Sequence, residues 1–295
     1  MLQDGDLVTV RPAVFARAAD AADLTAEDRA IVRAHALALV SAQRPVFSHT
    51  TAAALHGLPL YGVADPRPHT TVPPSRPRTA VGVVRHRGDL VEGELVEVDG
   101  MRCTGLARTV ADVARTAPYE TAVCVADGAL RQVAARWPDD YDEHAAQAFV
   151  TEAKTIARRS AHGVWRALRV LAFADGRAQL PGESISRIRL AELGFARPRL
   201  QARVAGPTPG VWYFLDFALD DVDAFGEFDG KRKYVDPAMA GGRTPAEILD
   251  AEKRREDWIR GTTQRRFARW GWNDLRTAAA LADRLAAFHI RPPRR

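Results

Sequence analysis

The alternation and clustering of apolar positions along the chain predict its elements. LVTV at residues 7–10 reads as a short strand, and the pattern over residues 25–40 predicts a helix. Arg44-Pro45 ends it, because the residue before a proline is pushed out of helical backbone. In SHTTAAALHGLPL, Ser48 or Thr50 can cap a short Ala-rich helix and Gly57 can close it. Pro, Arg and Thr crowd residues 66–78, which predicts an extended loop, and strands follow at 81–84 and 95–98. Helical spacing returns over 105–115 and 120–135. The polar, Pro-containing WPDDYDEH predicts a linker over 137–142, and a connecting helix runs from 143 to about 173.

The following segment has a sharper pattern. PGESISRIRLAELG predicts a helix with Pro181 and Gly182 ahead of it, Ile185, Ile188 and Ala191 as its apolar stripe, and Gly194 as its stop. Glu183 falls in its first turn. VWYFLDFAL reads as a buried strand, DDVD as a turn and AFGEFDG as a second strand. A turn centred on Asp221 and Val222 sets Asp216 opposite Glu227, where paired Cβ atoms lie about 4.5–5.5 Å apart. Side-chain alternation brings Glu227, Asp229 and Lys231 to that same face. Thr244-Pro245-Ala246-Glu247 supplies an N-cap, a proline at the first helical position and a capping-box Glu for a helix reaching about residue 261. TQRRFARW predicts a further strand, and a closing helix starts near residue 273. The order α, β, β, α, β, α predicts an α/β sheet flanked by helices.

At 295 residues the chain exceeds the usual reach of one hydrophobic core, so two domains are expected. With 46% hydrophobic and 27% charged residues it matches globular usage, which argues against wholesale disorder. No apolar run approaches the roughly 20 residues that span a bilayer, and Met1 is followed by acidic residues, not by a signal peptide; a cytoplasmic protein without a membrane partner is expected. Cys103 and Cys124 stand alone, without zinc-ligand spacing, and read as reduced buried thiols. Charge adds more. Residues 231–295 hold sixteen Lys and Arg against eight Asp and Glu, a net of +8 within a total of +5, so the first 230 residues carry −3. A basic end suits a polyanion.

Asp216 sits between Leu215 and Phe217 in an apolar run, where an unpartnered carboxylate is expensive. Converging carboxylates repel unless a cation shares them, and Mg²⁺ takes such oxygen ligands while keeping several waters. A Lys on the same face stabilises developing negative charge. This is the outline of a phosphodiester hydrolysis site, with Glu183, Asp216 and Glu227 holding the metal. Arg187, one turn after Glu183, reads as an ion pair or a phosphate contact. His49 and His56 read as structural, and Arg108 with Asp112 as an ordinary i,i+4 pair.

PGESISRIRLAELGF, LDFAL, GEFDGKRKY and AEKRREDWIRGTTQRRFARWGWNDL, in that order, resemble the PD-(D/E)xK restriction-endonuclease-like fold, most closely its Vsr-like domains, over about residues 180–288. The resemblance implies a mixed sheet flanked by helices and a Mg²⁺- or Mn²⁺-dependent DNA endonuclease. Its helix acid falls on Glu183, its first strand acid on Asp216 and its second on Glu227. The usual lysine slot holds Asp229, which leaves Lys231 and Lys233 as candidates for that role. Arg187, Arg232, Lys233, Arg254, Arg255 and Arg269 are the expected nucleic-acid contacts. Residues 1–135, through VFSHTTAAALHGLPL and MRCTGLARTVADVAR, resemble an AbiEi-type antitoxin, an α+β domain in which only the wing of a winged helix is matched. The expected organisation is residues 1–140 antitoxin-like, 141–179 a connecting helix and 180–295 nuclease-like. DNA is the expected partner, with a second copy of the chain a further candidate. The competing reading is a non-catalytic antitoxin or transcriptional regulator; an RNase is a third.

Overall fold

The chain divides into two units, Met1–Gly176 and Arg177–Arg295, and the computed structural model describes residues 6–65, 67–75, 79–136, 140–230 and 244–293. Each unit combines helices with sheet, and the chain is of the mixed α/β class. Among the described residues no helix is long and apolar enough to cross a membrane.

In the first unit a hairpin of β1 (Leu7–Arg11) and β2 (Val14–Arg17) turns at Ala13, φ 65°, and leads through α1 (Ala18–Ala21) to α2 (Ala26–Val40). A capping box starts α2: Thr25 Oγ1 accepts the Asp28 N–H, and the Asp28 carboxylate accepts the Thr25 N–H. β3 (Val46–Phe47) then enters α3 (His49–Leu55), after which Gly57 takes the left-handed φ of 69° that a glycine tolerates. β4 (His69–Val72), β5 (Thr79–Ala80), β6 (Val83–Arg87), β7 (Leu95–Val98) and β8 (Met101–Thr104) complete a six-stranded sheet of order β5-β6-β4-β3-β8-β7. Only the β4–β6 and β3–β8 pairs are parallel. Phe47, Ala52, Leu55, Met101 and Cys103 pack with Ala34 and Leu37 as its core. α4 (Leu106–Thr116), α5 (Tyr119–Ala134), the two-residue strands β9 (Ala135–Arg136) and β10 (Asp140–Tyr141), α6 (Glu143–Arg158) and α7 (Val164–Phe173) follow.

Three expectations need correction here. The segment expected as an extended loop contains β4, whose short HTTV run is held by partners on both sides. The strand expected at 81–84 starts at Val83, because Gly82 turns the chain at φ 67°. The single connecting helix over 143–173 is two helices, broken at Gly163 with φ 74°. Ala153, Ala157 and Ala167 are fully buried, and the Asp175 N–H donates to Asp127 Oδ1 at 2.7 Å, so α6 and α7 are packed parts of the first unit and not a connector over 141–179. Of the expected linker, residues 137–139 lie outside the described residues, and β10 pairs back on β9.

The second unit opens with α8 (Pro181–Leu193), with Pro181 at its start and Gly194 at φ 89° past its end. β11 (Arg199–Ala205), β12 (Trp212–Leu219) and β13 (Ala224–Phe228) run antiparallel in sequence order, and α9 (Pro245–Thr263) crosses to β14 (Arg266–Trp270), which is parallel to β13. β11 is absent from the expected order, whose remaining elements occur in sequence. Between β12 and β13 the chain makes a 3-10 turn over Asp220–Val222. The closing helix α10 (Ala278–Ala286) starts five residues later than expected, capped by Thr277, because the preceding residues form a turn in which Asp274 accepts the Gly271 N–H. Gly182 and Gly226 permit the closest approaches: an added Cβ would collide with the Phe228 ring at the first and with the Trp270 ring at the second. Trp270 stacks on Phe217 and donates its indole N–H to Ser186 Oγ at 2.8 Å, which locks α8 to the sheet.

Candidate functional site

The sheet of the second unit gathers four polar residues, Gln201, Asp216, Glu227 and Arg269, where the β12–β13 ladder ends. β12 and β13 pair Phe217 with Gly226, Ala218 with Phe225 and Leu219 with Ala224, and the ladder ends there, one residue short of Asp216 and Glu227. On the other side of β12, Leu200 pairs with Phe217 and Ala202 with Leu215, which leaves Gln201 opposite Asp216. The parallel β13–β14 ladder then sets Glu227 beside Arg269. Gln201 holds a left-handed φ of 49° in mid-strand, a conformation that costs a side-chain-bearing residue about 1–3 kcal/mol. The β12–β13 ladder stops at Phe217, where Asp216 Oδ2 takes the place of a backbone acceptor and receives the Phe228 N–H at 2.8 Å.

Asp216, Glu227, Asp229, Glu252, Arg255 and Arg269 line one cavity of about 240 Å³. A neighbouring cavity of about 350 Å³ shares Asp229 and Arg269 and extends past Trp272 to Arg284. Four carboxylates on one cavity, Asp216, Glu227, Asp229 and Glu252, include the hard-oxygen donor set that a divalent ion such as Mg²⁺ takes, so the residues present fit it. Glu183 is not part of this wall. It is buried, and its Oε2 accepts the Gln179 N–H at 2.8 Å and Gln201 Nε2 at 3.3 Å, so it reaches the group through Gln201.

Glu227 is engaged from two sides: Arg255 Nη2 lies 2.5 Å from Oε1 and Arg269 Nη2 lies 3.0 Å from Oε2. Arg255 also pairs with Glu252 at 2.8 Å, and Arg269 with Glu252 and Glu256. Burial opposes the charge of both arginines, but Glu227 and Glu252 outweigh it and hold both above the usual arginine pKa. Arg269 Nε is buried without a hydrogen-bond partner. These facts revise the expected nucleic-acid contacts. Arg187 is 1% exposed and cannot present its guanidinium to a phosphate backbone from there. Arg255 directs its Nη donors to Glu227, Glu252 and the Phe214 carbonyl, and Arg269 directs its Nη2 to Glu227, Glu252 and Glu256. Arg254 remains at the surface, in an i,i+4 pair with Asp250 that contributes little when this exposed. Lys231, Arg232 and Lys233 lie outside the described residues.

In the first unit Arg108 pairs with Asp112 at 2.9 Å, as its spacing suggests, and also with Glu94 at 2.8 Å. His56 donates Nε2–H to the Thr104 carbonyl at 2.8 Å. Both cysteines are buried and neither is in a disulfide, and burial pushes the Cys103 thiol up to about 11. His49 is buried and stacks on His86, close to His69. Sequence reasoning passed over the last two, since His69 stands in the supposed loop. The signal it held was the strand alternation of HTTV and VVRHR, which puts each His on a definite face.

Two uncharacterized proteins, from two strains of Mycobacterium tuberculosis, are each 30% identical to this chain over 188 residues, which is 64% of this chain. The chain likewise spans 64% of the length of each. No family model matches the chain, and no solved structure matches it.

Proposed function

We propose that the second unit is a metal-dependent phosphodiesterase of the PD-(D/E)xK type acting on DNA, and that the first unit is an AbiEi-like accessory domain. The observation that carries this reading is the convergence of Asp216, Glu227 and Asp229 on one cavity where the β12–β13 ladder ends. A mixed four-stranded sheet flanked by helices is also the architecture that the sequence resemblance implies. A bound Mg²⁺ or Mn²⁺ supplies a Lewis acid and lowers the pKa of a water molecule. Asp216 and Asp229 offer the ligand oxygens, and Glu227 offers a third once Arg255 releases it. The Phe228 N–H fixes Asp216, and Glu183 braces the group through Gln201. Arg269, paired with Glu227 and Glu252, places positive charge beside the carboxylates of the cavity.

One observation favours the competing regulator reading: Glu227, already neutralised by two arginines, has no need of a cation. Incubating the purified protein with plasmid, linear and single-stranded DNA and with RNA, in Mg²⁺, Mn²⁺ or EDTA, separates the two. The nuclease reading expects cleavage of DNA with metal and none in EDTA. Binding without cleavage of any substrate in any metal leaves the regulator.

A further inference from the structure

The first unit holds a second group of metal-ligating side chains that the proposed nuclease chemistry does not use. His49, His69 and His86 come from three elements, the first residues of α3 and β4 and the fourth of β6, and one ring nitrogen of each lies within 4.8 Å of the other two. His86 Nε2 and His69 Nδ1 are 3.1 Å apart. The rings of His49 and His86 stack with centroids 3.4 Å apart and planes inclined by 13°.

The sheet builds this group. In the parallel β4–β6 ladder Thr71 pairs with His86, and His69 lies two residues before Thr71, so His69, Thr71 and His86 share one face. The turn into α3 brings His49 to the same place. It is tied to β4 by the Ser48 N–H donating to the His69 carbonyl at 3.0 Å and by the His69 N–H donating to Thr51 Oγ1 at 2.8 Å. His49 itself is held at φ 52°, a left-handed conformation that persists only where the surroundings over-determine it.

One further observation points to a ligand. Thr71 Oγ1, on that face, is buried at 3% exposure and has no hydrogen-bond partner, the rare condition that an unseen ion or water explains. The rings are also suited to donate lone pairs. Burial, then the neighbouring His86 and His69, then Arg115 and Arg108, hold the His49 pKa well below its usual value. Burial, with Arg67 adding and Asp65 opposing, brings His69 to about 4. Both are neutral at pH 7. Arg108 and Arg115 are each held on Asp112, so their charge is compensated within α4.

We propose that His49, His69 and His86 form a binding site for a borderline divalent transition ion of the Zn²⁺ class, with a water beside Thr71 Oγ1 in the fourth position. Zinc binds imidazole nitrogen at about 2.0–2.1 Å in a tetrahedron, which sets two nitrogens about 3.3 Å apart. The His69–His86 pair already has that spacing, and rotation of the His49 ring out of its stack closes the rest. Hard Mg²⁺, which prefers oxygen, has no claim on three imidazoles. The two units therefore take different ions.

The test uses the untagged full-length chain, stripped of metal and titrated with Zn²⁺ alone by calorimetry, with thermal unfolding read in parallel. One Zn²⁺ per chain and a raised Tm are expected. His69→Ala and His86→Gln, checked for parent-like circular dichroism, should each weaken binding at least about tenfold, the lower end of what even an outer-shell change costs at a metal site. Asp216→Asn should leave it unchanged. Co²⁺ in place of Zn²⁺ gives a readout on the parent chain alone: intense visible bands of a four-coordinate nitrogen-rich site support the proposal, and only the weak spectrum of hydrated Co²⁺ overturns it. No saturable Zn²⁺ binding, binding unaffected by both histidine changes, or binding lost in Asp216→Asn overturns it as well.

Discussion

Glu227 and Arg269 are register partners on adjacent parallel strands, and their side chains form an ion pair at 3.0 Å beside the cavity that Asp216 and Asp229 line. Glu227 is thus both a candidate metal ligand and the shared counter-charge of two largely buried arginines. Glu227→Gln leaves Arg255 and Arg269 with a neutral neighbour and should destabilise the fold by about 1–3 kcal/mol, since removing one partner of a buried pair strands the other. Urea unfolding measures it. In a double-mutant cycle with Arg269→Gln, a coupling of about 0.5–3 kcal/mol is expected, and a coupling near zero would show that the pair is incidental.

Asp216 has a structural duty separable from its proposed role as a metal ligand. Its Oδ2 accepts the Phe228 N–H. Asp216→Asn keeps an acceptor oxygen there and should unfold within about 1 kcal/mol of the parent, whereas Asp216→Ala orphans a buried N–H and should cost about 1–3 kcal/mol. Equal stability of the two variants would mean that this hydrogen bond contributes nothing.

Gly182 and Gly226 admit the rings of Phe228 and Trp270. Gly182→Ala and Gly226→Ala should each destabilise by at least about 1–3 kcal/mol through overpacking, while Gly261→Ala, in open space on α9, should be neutral or slightly stabilising. The contrast is read from denaturant midpoints at constant slope.

Burial raises the Cys103 thiol to about 11, so its reactive thiolate stays scarce as the pH rises from 7 to 9. Alkylation of the native protein at pH 8 should leave Cys103 and the equally buried Cys124 unmodified, and both should react in denaturant. Rapid native labelling of either, followed by mass spectrometry, would contradict the buried placement.

Where local signals were strong the sequence announced the structure. Thr244 and Glu247 form their capping box, Gly194 stops α8, and the turn after Leu219 sets the expected register as far as Phe217 and Gly226. β4 and β11 were hidden for different reasons. HTTV is four residues beside a proline-rich stretch and is a strand only because β3 and β6 pair with it. RLQARVA carries Arg, Gln and Arg at every second position, so its buried Leu200, Ala202 and Val204 look diluted. Asp216 was legible as an acid misplaced in an apolar run, Glu227 and Asp229 followed from strand alternation and the family resemblance, and Glu252 of the same cavity was passed over. The pairing of Glu227 with Arg255 and Arg269 was not legible, because it depends on where α9 lies and on the β13–β14 register, neither of which has a local signature. The same holds for His69 and His86, which meet only through the parallel β4–β6 ladder.

Whether Asp216 holds a catalytic metal is decided by comparing parent and Asp216→Asn in two assays, initial rate of DNA cleavage with Mn²⁺ or Mg²⁺ and equilibrium DNA binding in EDTA. A metal ligand acts on the transition state, and without metal its charge only repels the phosphate backbone. Cleavage by Asp216→Asn should therefore fall to background while its binding in EDTA stays equal to the parent's or becomes tighter. Cleavage by Asp216→Asn at the parent's rate, or no cleavage by the parent with any divalent ion, would contradict the account.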